Sequence, residues 1–166
     1  MGCSLKKNSQ VTICADNGVL FFDMADYAEG EPLKPVVGWE TPTSDICFFR
    51  EAGKTLAAAI EPFHGNQGSV YECGNGAPRK LAAYDISFGH AVWIGRLCGK
   101  PALILGSRAG EAKALEIIPL DTGERLTLES GAGPTQLTVY EESGVSCILS
   151  ANHESGEVVL YKLREL

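Results

Sequence analysis

FGHAVWIGRLCGKPALILGSR, residues 88–108, holds two apolar runs, HAVWIGRL and PALILGSR, on either side of the tight-turn signal RLCGKP. The runs are short, rich in β-branched and aromatic residues, and bounded by Gly and Pro, which predicts two strands of a hairpin. The same arrangement lies upstream and downstream. REAGKT at 50–55 separates SDICFFR from TLAAAIEPF, and EESGV at 141–145 separates TQLTVYE from VSCILSANH. The turn glycines are Gly53, Gly99 and Gly144, spaced by 46 and then 45 residues. A third apolar run follows each hairpin: GSVYEC, AKALEIIPL and EVVLYKL. Two units add a fourth run, RKLAAYD and ERLTLES. No window keeps a 3.6-residue apolar period, so helices are not expected.

A four-stranded unit recurring about every 45 residues is the sequence pattern of a β-propeller. One such sheet cannot bury both faces alone, and stacking on its neighbours closes the core. A β-sandwich also suits a Gly- and Pro-rich all-β chain, but it does not require equal units. The expected fold is therefore all-β: about four blades of four-stranded antiparallel sheets. Residues 1–10 read as an N-terminal tail. A partial blade spans 11–40, full blades span 43–85 and 88–130, and a partial blade spans 133–166. In the first, VTICAD, GVLFFDM and KPVVGW read as second, third and outer strands. The last ends after EVVLYKL without an outer strand. Such an arc does not close neatly, so the chain is expected to be a homo-oligomer or a piece of a larger propeller. Open strand edges and bare blade faces need a cover.

Composition limits the function. The chain has 166 residues, 45% of them hydrophobic, and a formal net charge of −7 from 14 basic and 21 acidic residues. A nucleic acid partner needs a basic stripe, and an anionic membrane surface repels this charge, so neither is expected. No apolar run approaches the roughly 20 residues that span a bilayer. The six cysteines form no C-x-x-C pair. Several, such as Cys14 and Cys147, lie in strand-like runs, which reads as buried thiols in a reducing, cytoplasmic compartment. Gly2 and Cys3 hint at dual acylation, but Lys6 stands where the myristoylation pattern wants Ser or Thr.

The repeat also proposes a site. In a propeller the start of each inner strand and the end of each second strand meet at one channel mouth. Inner-strand starts carry Asp45, His90 and Gln136. Second-strand ends carry Asp16 and Asn17, Glu61 and His64, Ser107 and Arg108, and Asn152 and His153. All three histidines thus fall on one rim, and the candidate ligand-binding set is Asp45, Glu61, His64, His90, Arg108, Gln136, Asn152 and His153. Two chemistries suit it. His64, His90 and His153 with a carboxylate could hold zinc, iron or manganese and polarise a carbonyl or supply hydroxide. Alternatively, His and Arg could bind a polar ligand or an acidic sugar by charge-assisted hydrogen bonds, with His as acid or base. Trp93, Phe63 and Phe88 stand close by in sequence and could stack on a sugar ring or pack between blades. The Gly-rich segments at 74–78 and 131–134 read as turns, since no strand-to-helix pattern frames them.

The segments FGHAVWIGRLCGKPALILGSR (88–108) and GPTQLTVYEESGVSCILSANHESGEVVLYKL (133–163) resemble the FG-GAP/VCBS-type propeller repeats of many bacterial proteins. In that family an acidic Asp-Gly-Asp-Gly turn follows the inner strand and leads into an apolar second strand. Here those positions read RLCGKP and EESGV, so the resemblance does not carry calcium binding to this chain. The GHAVW segment is also similar to members attached to sugar-acting lyases and dehydratases. The function expected first is a binding module that shows a His-rich channel mouth to a small polar ligand or carbohydrate. A metal-dependent lyase or hydrolase of sugars or lactones, and a protein-interaction scaffold, are the competing expectations.

Overall fold

The structure is a computed structural model, and it describes residues 10–74 and 76–166. Gly2 and Cys3 lie outside the described residues. Fourteen strands are found among those described. They are β1 (Gln10–Ala15), β2 (Gly18–Asp23), β3 (Val36–Trp39), β4 (Asp45–Glu51), β5 (Lys54–Glu61), β6 (Gln67–Cys73), β7 (Arg79–Asp85), β8 (Gly89–Leu97), β9 (Lys100–Ser107), β10 (Ala114–Pro119), β11 (Leu126–Ser130), β12 (Pro134–Glu142), β13 (Val145–Asn152) and β14 (Glu157–Leu163). A single 3-10 turn, Met24–Asp26, interrupts the strands, with the Asp23 side chain accepting from the Ala25 amide at its start.

The strands form four separate antiparallel meanders, β1–β3, β4–β7, β8–β11 and β12–β14, of three, four, four and three strands. They are called blades 1 to 4 below. Three of the hairpins that open them are set by one backbone device. Ala52-Gly53, Cys98-Gly99 and Ser143-Gly144 all have positive φ, between 48° and 79°. The strands pair right up to these residues, as Glu51 with Lys54, Leu97 with Lys100, and Glu142 with Val145. Two successive left-handed residues make the two-residue turn whose twist matches that of the flanking strands, and glycine adopts the second position without strain.

Between consecutive blades lies a layer of apolar side chains. Blades 1 and 2 bury Cys14, Val19, Ile46, Ala57, Ala59 and Tyr71 between them. Blades 2 and 3 bury Ala58, Ile60, Val70, Val92, Ile94, Leu103, Leu105 and Ile118. Blades 3 and 4 bury Leu97, Ala102, Ile104, Leu115, Ile117 and Ile148. The second strands explain their own composition. Alternate side chains of a strand point to opposite faces, and both faces of β5 and β9 are covered. Their sequences are therefore unbroken apolar runs, LAAAI and ALIL, rather than alternating ones. Ala57, Ala58 and Ala59 are all fully buried, with Ala57 and Ala59 facing blade 1 and Ala58 facing blade 3.

Cys47, Cys98 and Cys147 are free thiols. Burial pushes the Cys47 thiol above its ordinary value, which suits a packing role and not a nucleophile. Among the described residues no helix is long and apolar enough to cross a membrane.

Candidate ligand-binding site

Inner strands β4, β8 and β12 begin at one end of the blade stack. Asp45 is the first residue of β4, His90 the second of β8 and Gln136 the third of β12. These three side chains line one small cavity of about 60 Å³, together with Ser44, Phe63, His64 and Thr135. A cavity of this size admits a few waters or one functional group of a ligand.

Backbone hydrogen bonds fix the mouth. The Ser44 amide donates to the Ile60 carbonyl at 3.0 Å and the Gly89 amide to the Gly65 carbonyl at 2.7 Å. The second bond ties the loop after β5 to the start of β8 and so holds His64 against His90. Their rings stack with centroids 5.6 Å apart. The His64 ring also lies 4.5 Å from that of Phe63 and 5.4 Å from that of Phe88. Phe63 and Phe88 remain 40% and 39% exposed, enough to offer ring surface to a ligand. His64 and Phe88 have φ of 52° and 50°. Both are bulky residues in the left-handed region, outside the two-residue hairpins, and strain of this kind gathers where a site is pre-shaped.

The titrating groups are set by burial. Desolvation raises the Asp45 carboxyl from 3.8 to about 6, against the lowering effect of the Ile46 and Val92 amides. Desolvation likewise lowers the His90 pKa, and the Arg108 and His64 charges add to that, while the Thr135 carbonyl opposes it. His90 is therefore neutral at pH 7. Its Nδ1 donates to the Thr135 carbonyl at 3.3 Å, which leaves Nε2 as an acceptor.

The Asp45 shift predicts a pH effect. The folded chain holds this proton more tightly than the unfolded chain, so stability should fall as pH rises from about 4 to about 6 and level off above. Asp45→Asn removes that dependence. The variant should gain on the parent by about 3 kcal/mol above pH 6 and by little below pH 4, in urea unfolding across that range. A constant difference at all pH values would contradict the burial of this carboxyl.

Of the eight residues expected at the rim, Asp45, His64, His90 and Gln136 share the cavity. Arg108 and His153 stand beside each other, with Arg108 Nη2 3.4 Å from His153 Nε2, and His153 Nδ1 faces Glu154 at 3.1 Å. Glu61 and Asn152 do not reach the cavity. Glu61 is buried, accepts from Tyr71 Oη at 2.5 Å, and pairs with Lys80 at 2.9 Å. Asn152 is buried and bonded to Ser150 and, at 3.3 Å, to Tyr161. The cause is strand alternation: both end a second strand on the face that packs against the preceding blade. His64, His90 and His153 do not form a ligand set. Among the described residues no three His, Cys, Asp or Glu groups are placed to hold a metal ion.

Ser44 and Thr135 line the cavity without having been expected there. Ser44 is 7% exposed, and its buried Oγ has no hydrogen-bond partner. A signal was available: Ser44, Gly89 and Thr135 fall 45 and 46 residues apart, at one repeat position.

Among solved structures the chain is similar to regucalcin from Agrobacterium tumefaciens, a calcium-binding protein. The TM-score is 0.57 at 16% sequence identity over 97% of this chain. The fold is a β-propeller. The chain spans 59% of the length of regucalcin, and at this identity the likeness speaks for the fold alone. No protein-family model and no curated protein matches the sequence.

Proposed function

We propose that the protein is a β-propeller binding module that takes a small polar ligand, in particular a carbohydrate, at the mouth lined by Ser44, Asp45, His64, His90 and Gln136. The observation that carries this is the cavity that Ser44, Asp45, His64, His90 and Gln136 line beside the Phe63 ring, with room for one polar substituent of a ligand. The surrounding groups suit a sugar. Asp45 and Gln136 accept from hydroxyls, His90 Nε2 accepts, and the exposed Phe63 and Phe88 rings offer faces for the apolar side of a pyranose. The cavity takes one substituent, and the ring would lie across the aromatic pair.

A second reading follows from the Asp45 carboxyl, near 6, beside a neutral His90. A carboxyl held up by burial and an imidazole in one cavity suit acid–base hydrolysis of a sugar lactone.

Thermal unfolding in the presence of neutral hexoses, uronic acids and aldonolactones separates the readings. The binding module predicts a saturable rise in Tm with at least one sugar, no turnover, and loss of that rise in His90→Ala and Ser44→Val. Lactone hydrolysis abolished by Asp45→Asn would establish the second reading. No shift with any of the panel would overturn the carbohydrate proposal.

A further inference from the structure

The chain carries a formal net charge of −7, yet one rim of the blade stack gathers Arg108 and all three histidines. His64 and His90 line the mouth. His64, Arg108 and His153 stand 44 and 45 residues apart, each just past the end of a second strand. Backbone bonds fix the last two beside the mouth. The Arg108 amide donates to the Phe88 carbonyl at 3.0 Å, and the Phe88 ring lies 5.4 Å from that of His64. The His153 amide donates to the Gly133 carbonyl at 3.0 Å, at the start of blade 4.

A chain of polar contacts then aims the guanidinium. Lys113 pairs with Glu154 at 3.3 Å, and His153 Nδ1 lies 3.1 Å from the same carboxylate. Nδ1 therefore carries a proton, and Nε2 is left to accept from Arg108 Nη2 at 3.4 Å. Arg108 keeps donors to spare. Among the described residues His153 is its one side-chain partner, whereas Lys80, Arg96, Lys113 and Arg125 each pair with a glutamate. Its charge also reaches the mouth, since after desolvation it is the next cause that lowers the His90 pKa. A planar guanidinium with free N–H groups matches a carboxylate, which it grips by two parallel hydrogen bonds.

We propose that the mouth selects a sugar that carries a carboxylate, and that Arg108 binds that carboxylate. This rests on the carbohydrate reading of the mouth. A ring across Phe63 and Phe88 puts one substituent in the cavity and its outer edge beside Arg108. Asp45, on the blade 2 side, takes hydroxyls, and Arg108, at the joint of blades 3 and 4, takes the carboxylate. One guanidinium is a poor match for a phosphate dianion, and the carboxylates of Asp45 and Glu154 nearby disfavour one further.

Titration calorimetry on the full chain tests it with glucuronate against glucose and galacturonate against galactose, pairs that differ only in the carboxylate. In at least one pair the acid should bind about tenfold or more tightly than the neutral sugar. That margin should shrink as salt is raised. Arg108→Met, similar in length and without charge, should bring the acid down to the affinity of its neutral partner, and Arg108→Lys should keep part of the margin. Arg108→Gln replaces Arg108→Met if the latter does not fold. Equal affinities within both pairs, an acid preference that survives Arg108→Met, or a loss equal for acid and neutral sugar would each overturn the inference and leave the carbohydrate reading standing. Tighter binding of glucose 6-phosphate than of either acid would overturn the carboxylate. Binding of none of these sugars would overturn both readings.

Discussion

Gly65→Ala is expected to abolish ligand-dependent stabilisation and to lower Tm by roughly 5–10 °C, the equivalent of about 2–4 kcal/mol. A methyl group at this position would sit 2.1 Å from the Glu61 carbonyl oxygen, 2.2 Å from the Glu61 carbonyl carbon and 2.3 Å from the Pro62 nitrogen. All three are backbone atoms of the same tight loop, so no rotamer change relieves the clash and the loop must open. The loop carries Phe63 and His64, and its Gly65 carbonyl accepts from the Gly89 amide at the start of β8. Opening it releases His64 from His90 and Phe88 and uncouples the mouth from blade 3. Gly74→Ala is the control, since a methyl group there meets nothing within 4 Å and Gly74 has no positive φ. It should change Tm by no more than about 1 °C, as an unconstrained surface substitution does. Equal effects of the two substitutions would show that the loop is not rigid.

Leu105→Ala is expected to cost about 3–5 kcal/mol in urea unfolding, with the denaturant slope unchanged. Leu105 is fully buried and packs between blades 2 and 3 with Ile60, Val70, Val92, Ile94 and Ile118. Two blade faces set by separate strand pairings cannot collapse far enough to fill the hole, which places the cost at the upper part of the usual range. A domain of this size has only about 5–15 kcal/mol in total, so the variant should be near the edge of folding. Leu126, on outer strand β11, is 39% exposed, and its alanine variant should lose less than about 1 kcal/mol. Similar losses at the two positions would mean that the stability does not come from blade-to-blade packing.

The blade plan was legible because it is written in local chemistry. Gly53, Gly99 and Gly144 each close a hairpin that needs a left-handed residue, so their spacing reports the repeat directly. Asp45, His90 and Gln136 could be placed together because each stands at the start of an inner strand, and those starts line one cavity. Glu61 and Asn152 could not be read as safely. The spacing correctly puts them at the ends of second strands, but side-chain direction there depends on strand parity, and a one-residue difference turns the group from the mouth to the interface. The same repeat held the missing clue: Tyr71 and Tyr161 fall 90 residues apart, and each bonds the polar group beside it, Glu61 or Asn152. His64 escapes this rule because it lies beyond the strand, on a loop held by the Gly89–Gly65 and Ile86–Asn66 backbone hydrogen bonds. Ser44 was passed over because a serine by itself announces no ligand chemistry; only its repeat position, shared with Gly89 and Thr135, pointed to the mouth.

Distant segments bring His64 and His90 to one cavity, and we propose that this cavity takes a ligand. The most direct measurement is imidazole NMR of the wild-type protein during titration with the sugar that gives the largest thermal shift. His64 and His90 resonances should move together along one saturation curve. A stabilising sugar that moves neither ring, or moves one and leaves the other unchanged, would contradict the shared cavity.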